Sequence, residues 1–164
     1  ERYEGPSLSE ERKRELAERK NDTYRRLLAN MSPSDLTEEV RTTLEALRSS
    51  GLKLGIGSSS KNAPFILDRL GLGNYFDAVS DGNNITHSKP DPEVFLKGAG
   101  FLDVLPEECL VVEDAVSGAE AGRCGGFPVA CVGDASAAGA GDFNLAAFGQ
   151  LIEVAAQLRE GATA

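Results

Sequence analysis

The chain has 164 residues, 41% of them apolar, enough for one ordinary domain with a buried core. Its formal net charge of −9 excludes a nucleic-acid binder that works through a basic face, because phosphate backbones are held by clustered Lys and Arg. No run reaches the length of a membrane-spanning helix, and the first residues lack the basic, apolar and small-residue regions of a signal peptide.

In chain order, Ser7 to Ala29 predicts one long charged helix, started by a Ser9 cap, with Leu16, Tyr24, Leu27 and Leu28 along one stripe. Its polar remainder suits a small cap over a larger body. Met31-Ser32-Pro33-Ser34-Asp35 breaks the pattern, so residues 1–33 are assigned to a helical cap and residues 34–164 to the main body. Thr37 to Ser50 spaces Val40, Leu44 and Leu47 as an amphipathic helix that Gly51 ends. Strands are predicted at Leu52–Gly57, Phe76–Ser80, Leu110–Val112 and Pro128–Val132. Helices are predicted at Asn62–Leu70, Pro92–Gly100, Gly118–Cys124 and Gln150–Arg159. Asp134 to Asp142, rich in Ala and Gly and without periodicity, reads as a mobile loop. Strands alternating with helices predict an α/β fold, a Rossmann-like parallel sheet in three layers. Cys109, Cys124 and Cys131 show no CxxC spacing, so buried, reduced thiols in a cytoplasmic protein are expected.

Four segments carry chemistry, each where a strand hands over to a loop or helix. Ser58, Ser59 and Ser60 precede a predicted helix, where hydroxyls and N–H groups could cradle a phosphate or simply cap the helix. Lys89 stands between Ser88 and Pro90 in a stretch too polar for the core, as a point charge for phosphate or a solvated side chain. Glu113-Asp114 ends an apolar strand. Adjacent carboxylates there repel each other and lose hydration, a cost that a hard cation such as Mg²⁺ would offset. Gly118 and Gly122 let the next helix pack closely, and His87, the only histidine, reads as a loop residue without chemistry.

In this order, Ser58, Lys89 and Glu113-Asp114 resemble the motifs of the haloacid dehalogenase superfamily of phosphotransferases. The resemblance narrows to its β-phosphoglucomutase branch through Glu18-Arg19-Lys20-Asn21-Asp22-Thr23-Tyr24, Ser58 to Phe65, Asn74-Tyr75-Phe76-Asp77-Ala78 and Ser88-Lys89-Pro90-Asp91-Pro92, over about Leu16 to Gly133. It implies that Ser58 and Lys89 hold the transferring phosphoryl group and that Glu113 and Asp114 position Mg²⁺. It further implies that Ser60, Lys61 and Asn62 bind the non-reacting phosphate of the sugar, that Ser59 belongs to the same substrate-binding loop, that Lys20 reaches in from the cap, and that Tyr24 supports that face. The implied reaction interconverts β-glucose 1-phosphate and β-glucose 6-phosphate through an aspartyl-phosphate and a bisphosphate. The alternatives are a sugar-phosphate phosphatase of the same superfamily and a non-catalytic phosphate-binding protein. A small-molecule partner and a monomer are expected, with no nucleic acid and no membrane.

The chain departs from that pattern. The superfamily places an Asp-x-Asp strand before the cap, its first Asp the nucleophile and its second the acid/base, and this sequence has neither. That strand would lie between the strands ending at Ser58 and Glu113. Its loss would leave buried backbone groups unpaired at about 1–3 kcal/mol each, so the chain is expected to be the greater part of a longer polypeptide and inactive alone. Ala115 also stands where the resemblance places a small polar residue.

Overall fold

The computed structural model describes residues 8–162. The first helix, α1, runs Glu10–Leu28, and the Ser9 hydroxyl accepts the Arg12 N–H at 3.2 Å. The expected helix start at Ser7 and the first cap residues lie outside the described residues. Leu28 alone on the α1 stripe is buried, while Leu16, Tyr24 and Leu27 stay exposed. A short 3₁₀ turn at Pro33–Asp35 follows, and the Thr37 hydroxyl then starts α2, Glu38–Ser49, by accepting the Val40 N–H.

The remaining elements alternate: β1 (Gly55–Gly57), α3 (Ala63–Arg69), β2 (Ala78–Ser80), α4 (Glu93–Leu102), β3 (Val111–Glu113), α5 (Val116–Cys124), β4 (Val129–Cys131), α6 (Gly133–Ala137), β5 (Phe143–Asn144) and α7 (Leu151–Ala162). All strand pairs are parallel. They form two groups: β1 pairs with β2, opposing Gly55 to Ala78, and β3, β4 and β5 pair in that order, opposing Val111 to Val129. Among the described residues β1 and β3 do not pair.

Alternation along β3 and β4 builds the layers. Val111, Val129 and Cys131 face a cluster with Ala99, Ala119, Phe127 and Ala135, on the α4 and α5 side. Ala130, with the flanking Leu110 and Val132, faces Leu145, Leu151, Val154 and Leu47, on the α2 and α7 side. This is the three-layer α/β arrangement. No helix among the described residues is long and apolar enough to cross a membrane.

The stretch from Asp134 to Asp142 differs from expectation in its first part. Its start belongs to α6 and β5 follows directly after it, with Ala135 fully buried. Its small side chains are what let it lie against Cys131 and the core, which a search for bulky periodic residues does not detect. The thiols differ too: Cys131 is buried, Cys109 partly so and Cys124 exposed. Burial pushes the Cys131 and Cys109 thiols up from their ordinary pKa.

Asp77 gives the Asn74–Ala78 segment a structural role. Its carboxylate accepts the Leu54 N–H at 2.7 Å and the Arg48 guanidinium at 3.3 Å, tying the entry of β1 and the end of α2 to β2. Those same contacts, the Leu54 N–H first, hold its carboxyl below the usual carboxylate range.

Candidate active site

The strand ends gather the chemistry. At the end of β1, the Ser58 N–H donates to the Ser80 carbonyl at 2.9 Å, continuing the pairing with β2. The chain then turns on its own hydroxyls: the Ser60 N–H donates to Ser58 Oγ at 3.2 Å and the Asn62 N–H to Ser60 Oγ at 3.1 Å. A second loop braces this turn. The Gly82 N–H reaches the Ser60 carbonyl at 3.3 Å, and Asn83 Nδ2 donates to the Lys61 carbonyl at 3.1 Å. Only glycine fits at position 82, because a Cβ there would lie 2.6 Å from the Ser59 carbonyl oxygen. Asp81, buried beneath, accepts the Asn83 N–H at 2.8 Å. Ser59 and Lys61 point outward as exposed side chains.

Lys89 reaches the same place from the loop before α4. Its Nζ donates to the Gly57 carbonyl at 3.0 Å, beside Ser58, and pairs with the Glu113 carboxylate. The ammonium also lies 4.6 Å from the centroid of the Phe95 ring. Phe95 sits close under Gly57, where a Cβ would come 2.8 Å from the ring. The sequence offered Phe95 only as one more apolar residue of a helix.

Glu113 ends β3 with its side chain 8% exposed, and Gly118 makes the space it occupies. A Cβ at Gly118 would lie 2.2 Å from the Glu113 carboxyl carbon. Gly118 thus serves the carboxylate, whereas Gly122 serves packing, against Val129 and Val111. Asp114 is exposed, and its side chain makes no hydrogen bond among the described residues. Two hard oxygen donors on consecutive residues, Asp114 exposed and Glu113 held in its cradle by Lys89, are of the chemistry that suits Mg²⁺, which takes one or two carboxylates and completes its shell with water and phosphate oxygens.

His87 is not isolated: its Nδ1 lies 3.3 Å from Glu93 Oε2, and Asp91 stands close by. The carboxylates of this group are engaged within the chain. Glu93 accepts the Thr86 and His87 N–H groups at 2.9 and 2.7 Å and pairs with Lys97 at 2.7 Å, while Asp91 Oδ1 accepts the Glu93 N–H. Lys97 chiefly, then the two N–H groups, lower the Glu93 carboxyl to about 2. The group braces the loop that carries Lys89.

On α1, Lys20 and Tyr24 line a shallow hollow with Leu16, Arg19, Thr23 and Leu27. Contact with the Ser58–Asn62 loop comes instead from the next residue, Asn21, whose Oδ1 accepts Asn62 Nδ2 at 2.8 Å. One turn later the Arg25 guanidinium lies 5.2 Å from the centre of the Phe65 ring. Sequence reasoning missed Asn21, although Asn62, a side chain seeking a partner at the start of a helix, could have suggested one.

Comparisons with known proteins give the family. The model of the haloacid dehalogenase-like hydrolase family matches residues 2–126. A β-phosphoglucomutase from Bacillus subtilis is 40% identical over 121 residues, 74% of this chain and 54% of that protein. A fructose-1-phosphate phosphatase from Escherichia coli is 42% identical over 76 residues, 46% of this chain and 40% of that protein. The crystal structure of a β-phosphoglucomutase from Clostridium difficile superposes with a TM-score of 0.86 at 30% identity, covering 96% of this chain and 71% of that one. The chain spans about half the length of the curated relatives it matches.

Proposed function

The chain belongs to the haloacid dehalogenase-like hydrolase family, and from that premise we propose that it works in Mg²⁺-dependent phosphoryl transfer on a hexose phosphate, interconverting β-glucose 1-phosphate and β-glucose 6-phosphate. The observation that carries this reading is the convergence of Lys89 on both Gly57, beside Ser58, and Glu113, beside Asp114. One ammonium thereby joins a hydroxyl-bearing loop and a carboxylate pair at a single end of the fold.

In this reading Ser58 donates its hydroxyl to an oxygen of the transferring phosphoryl group, and Lys89 opposes the negative charge there. Glu113 and Asp114 would hold Mg²⁺, which when bound would neutralise charge on that group. Ser59, Ser60, Lys61 and Asn62 would take the remainder of the sugar phosphate, while Lys20 and the cap helix would shield the site from water. The attacking carboxylate would come from a strand seated between β1 and β3. The edges of β1 and β3 left unpaired among the described residues, which Lys89 links through Gly57 and Glu113, support that placement. Cytoplasmic sugar metabolism is the setting this reading implies.

A phosphatase for small sugar phosphates is the second reading, favoured by the likeness to the Escherichia coli phosphatase. Phosphorus NMR of a polypeptide that includes the nucleophile strand, given β-glucose 1-phosphate, a trace of glucose 1,6-bisphosphate and Mg²⁺, decides between them. Conversion to glucose 6-phosphate is expected. Release of inorganic phosphate as the sole product would replace the mutase with the phosphatase.

A further inference from the structure

Phe95 lies where an aliphatic side chain of the same size would do harm. The Lys89 side chain is only 17% exposed, and its ammonium stands over the Phe95 ring, 4.6 Å from the centroid. An ammonium taken that far out of water against an alkyl chain loses hydration and gains nothing, whereas the negative face of an aromatic ring answers part of the charge. The ring is itself fixed. Phe127 meets it edge to face, with centroids 6.1 Å apart and planes at 65°, and both pack around Ala99, Val111 and Val129. On another side it fills the space of a side chain at Gly57, where a Cβ would come 2.8 Å from two ring carbons. The main chain of Phe95 is tied to the end of the Lys89 loop, through its N–H bond to the Pro92 carbonyl at 3.0 Å. One ring thus adjoins both the ammonium that donates and the peptide that accepts from it.

We propose that Phe95 is a positioning residue whose ring face seats the Lys89 ammonium between the Gly57 carbonyl and the Glu113 carboxylate, so that the charge stands at a fixed place beside Ser58. That this charge opposes a phosphoryl group rests on the function proposed above; the seating does not. The polar partners hold Lys89 from β1 and β3, and the ring supports it from α4.

Fluorine supplies the test, because a fluorinated ring keeps its shape while its face loses negative charge. Mono-, di- and trifluorophenylalanine are placed at position 95 of the 164-residue chain, and acetylation of Lys89 by acetic anhydride is followed by peptide mass spectrometry against the exposed Lys20 and Lys61. Acetylation requires the amine to leave its seat. In the wild type Lys89 should react well behind the two references, and each fluorine should speed it, to about fivefold with three, the worth of a partly desolvated cation over a ring. Phe95→Leu, which has no ring face, should be at least as fast, with Lys20 and Lys61 unchanged. In carbon–proton NMR the ring current should place the wild-type Lys89 Cε methylene upfield of those of Lys20 and Lys61. A wild-type Lys89 that reacts as fast as the references, a missing upfield displacement, or one rate across the fluorine series overturns the proposal, since packing alone does not follow the charge on the ring face. Orthophosphate added to the wild type should slow Lys89 acetylation further. No slowing defeats the phosphoryl reading of Lys89, and the fluorine series then still decides the seating.

Discussion

Lys89 and Glu113, 24 residues apart, form an ion pair whose side chains are only 17% and 8% exposed. The pair joins the end of β3 to the loop before α4, and the further bond from Lys89 to the Gly57 carbonyl carries the link to β1. Removing one member of such a pair leaves an unpartnered charge out of water. Lys89→Ala should therefore cost about 3 kcal/mol of stability in a urea titration. Glu113→Gln, which retains a neutral acceptor for Lys89, should cost distinctly less. Equal losses in the two variants would mean that packing rather than charge holds the site together.

Gly118 tests the carboxylate without touching its charge. A Cβ there meets the Glu113 carboxyl carbon and Oε2 at 2.2 Å, and the backbone of α5 leaves it nowhere else to go. Gly118→Ala should push the carboxylate out of its cradle and weaken Mg²⁺ affinity about 10- to 100-fold, the range found when support behind a metal ligand is lost. Helix α5 should survive, since Ala is a better helix former than Gly. Isothermal titration with Mg²⁺, alongside circular dichroism, separates the two effects. Unchanged affinity would remove Glu113 from the cation site.

Ser58 and the Glu113-Asp114 pair were legible as candidates in sequence because each lies at a strand end marked by an abrupt change from apolar to polar residues, as Val111-Val112 passes to Glu113-Asp114, whereas Lys89 sits in a loop well beyond the end of β2. Contacts across the chain were not. Nothing local announces that Lys89 meets Glu113, that Phe95 lies beneath Gly57, or that Asn21 rather than Lys20 touches Asn62. Helix α6 escaped because its Ala and Gly residues carry little hydrophobic contrast, although tertiary packing buries Ala135 completely. The stripe of α1 shows the converse: its apolar spacing marks a helix, yet Tyr24 and Leu27 find no cover among the described residues.

Glu93 gives the loop that carries Lys89 a dependence on pH. Its carboxyl is lowered from 4.5 to about 2, first by Lys97 and then by the His87 and Thr86 N–H groups. A folded-state value below the unfolded one contributes stability that is complete above pH 4.5 and fades as pH falls toward 2. Glu93→Gln should accordingly lower the thermal midpoint at neutral pH. The gap between variant and wild type should narrow across that acid window. A gap that stays constant down to the lowest pH would show that the bonds to Thr86 and His87, and not the charge, carry the effect.

The edges of β1 and β3 left unpaired among the described residues lead to the last prediction. In β3 the Val111 N–H donates to the Pro128 carbonyl and the Glu113 carbonyl accepts from Val132, both at 2.9 Å, so the Val112 N–H and C=O point the opposite way, away from β4. Val112 is 37% exposed. In β1 the Ser58 N–H faces β2, which turns the Gly57 peptide groups toward the same gap, and there the Gly57 carbonyl has found Lys89 Nζ. Amide hydrogen exchange read by NMR should show Gly57 and Val112 exchanging quickly while Val111, Glu113 and Ser58 are protected. In a polypeptide that supplies a strand to this gap, both fast amides should become protected together, because one parallel strand would pair with both edges. Protection of Gly57 and Val112 in the 164-residue chain itself would show that the two edges are already covered, and the placement of a nucleophile strand between β1 and β3 would fail.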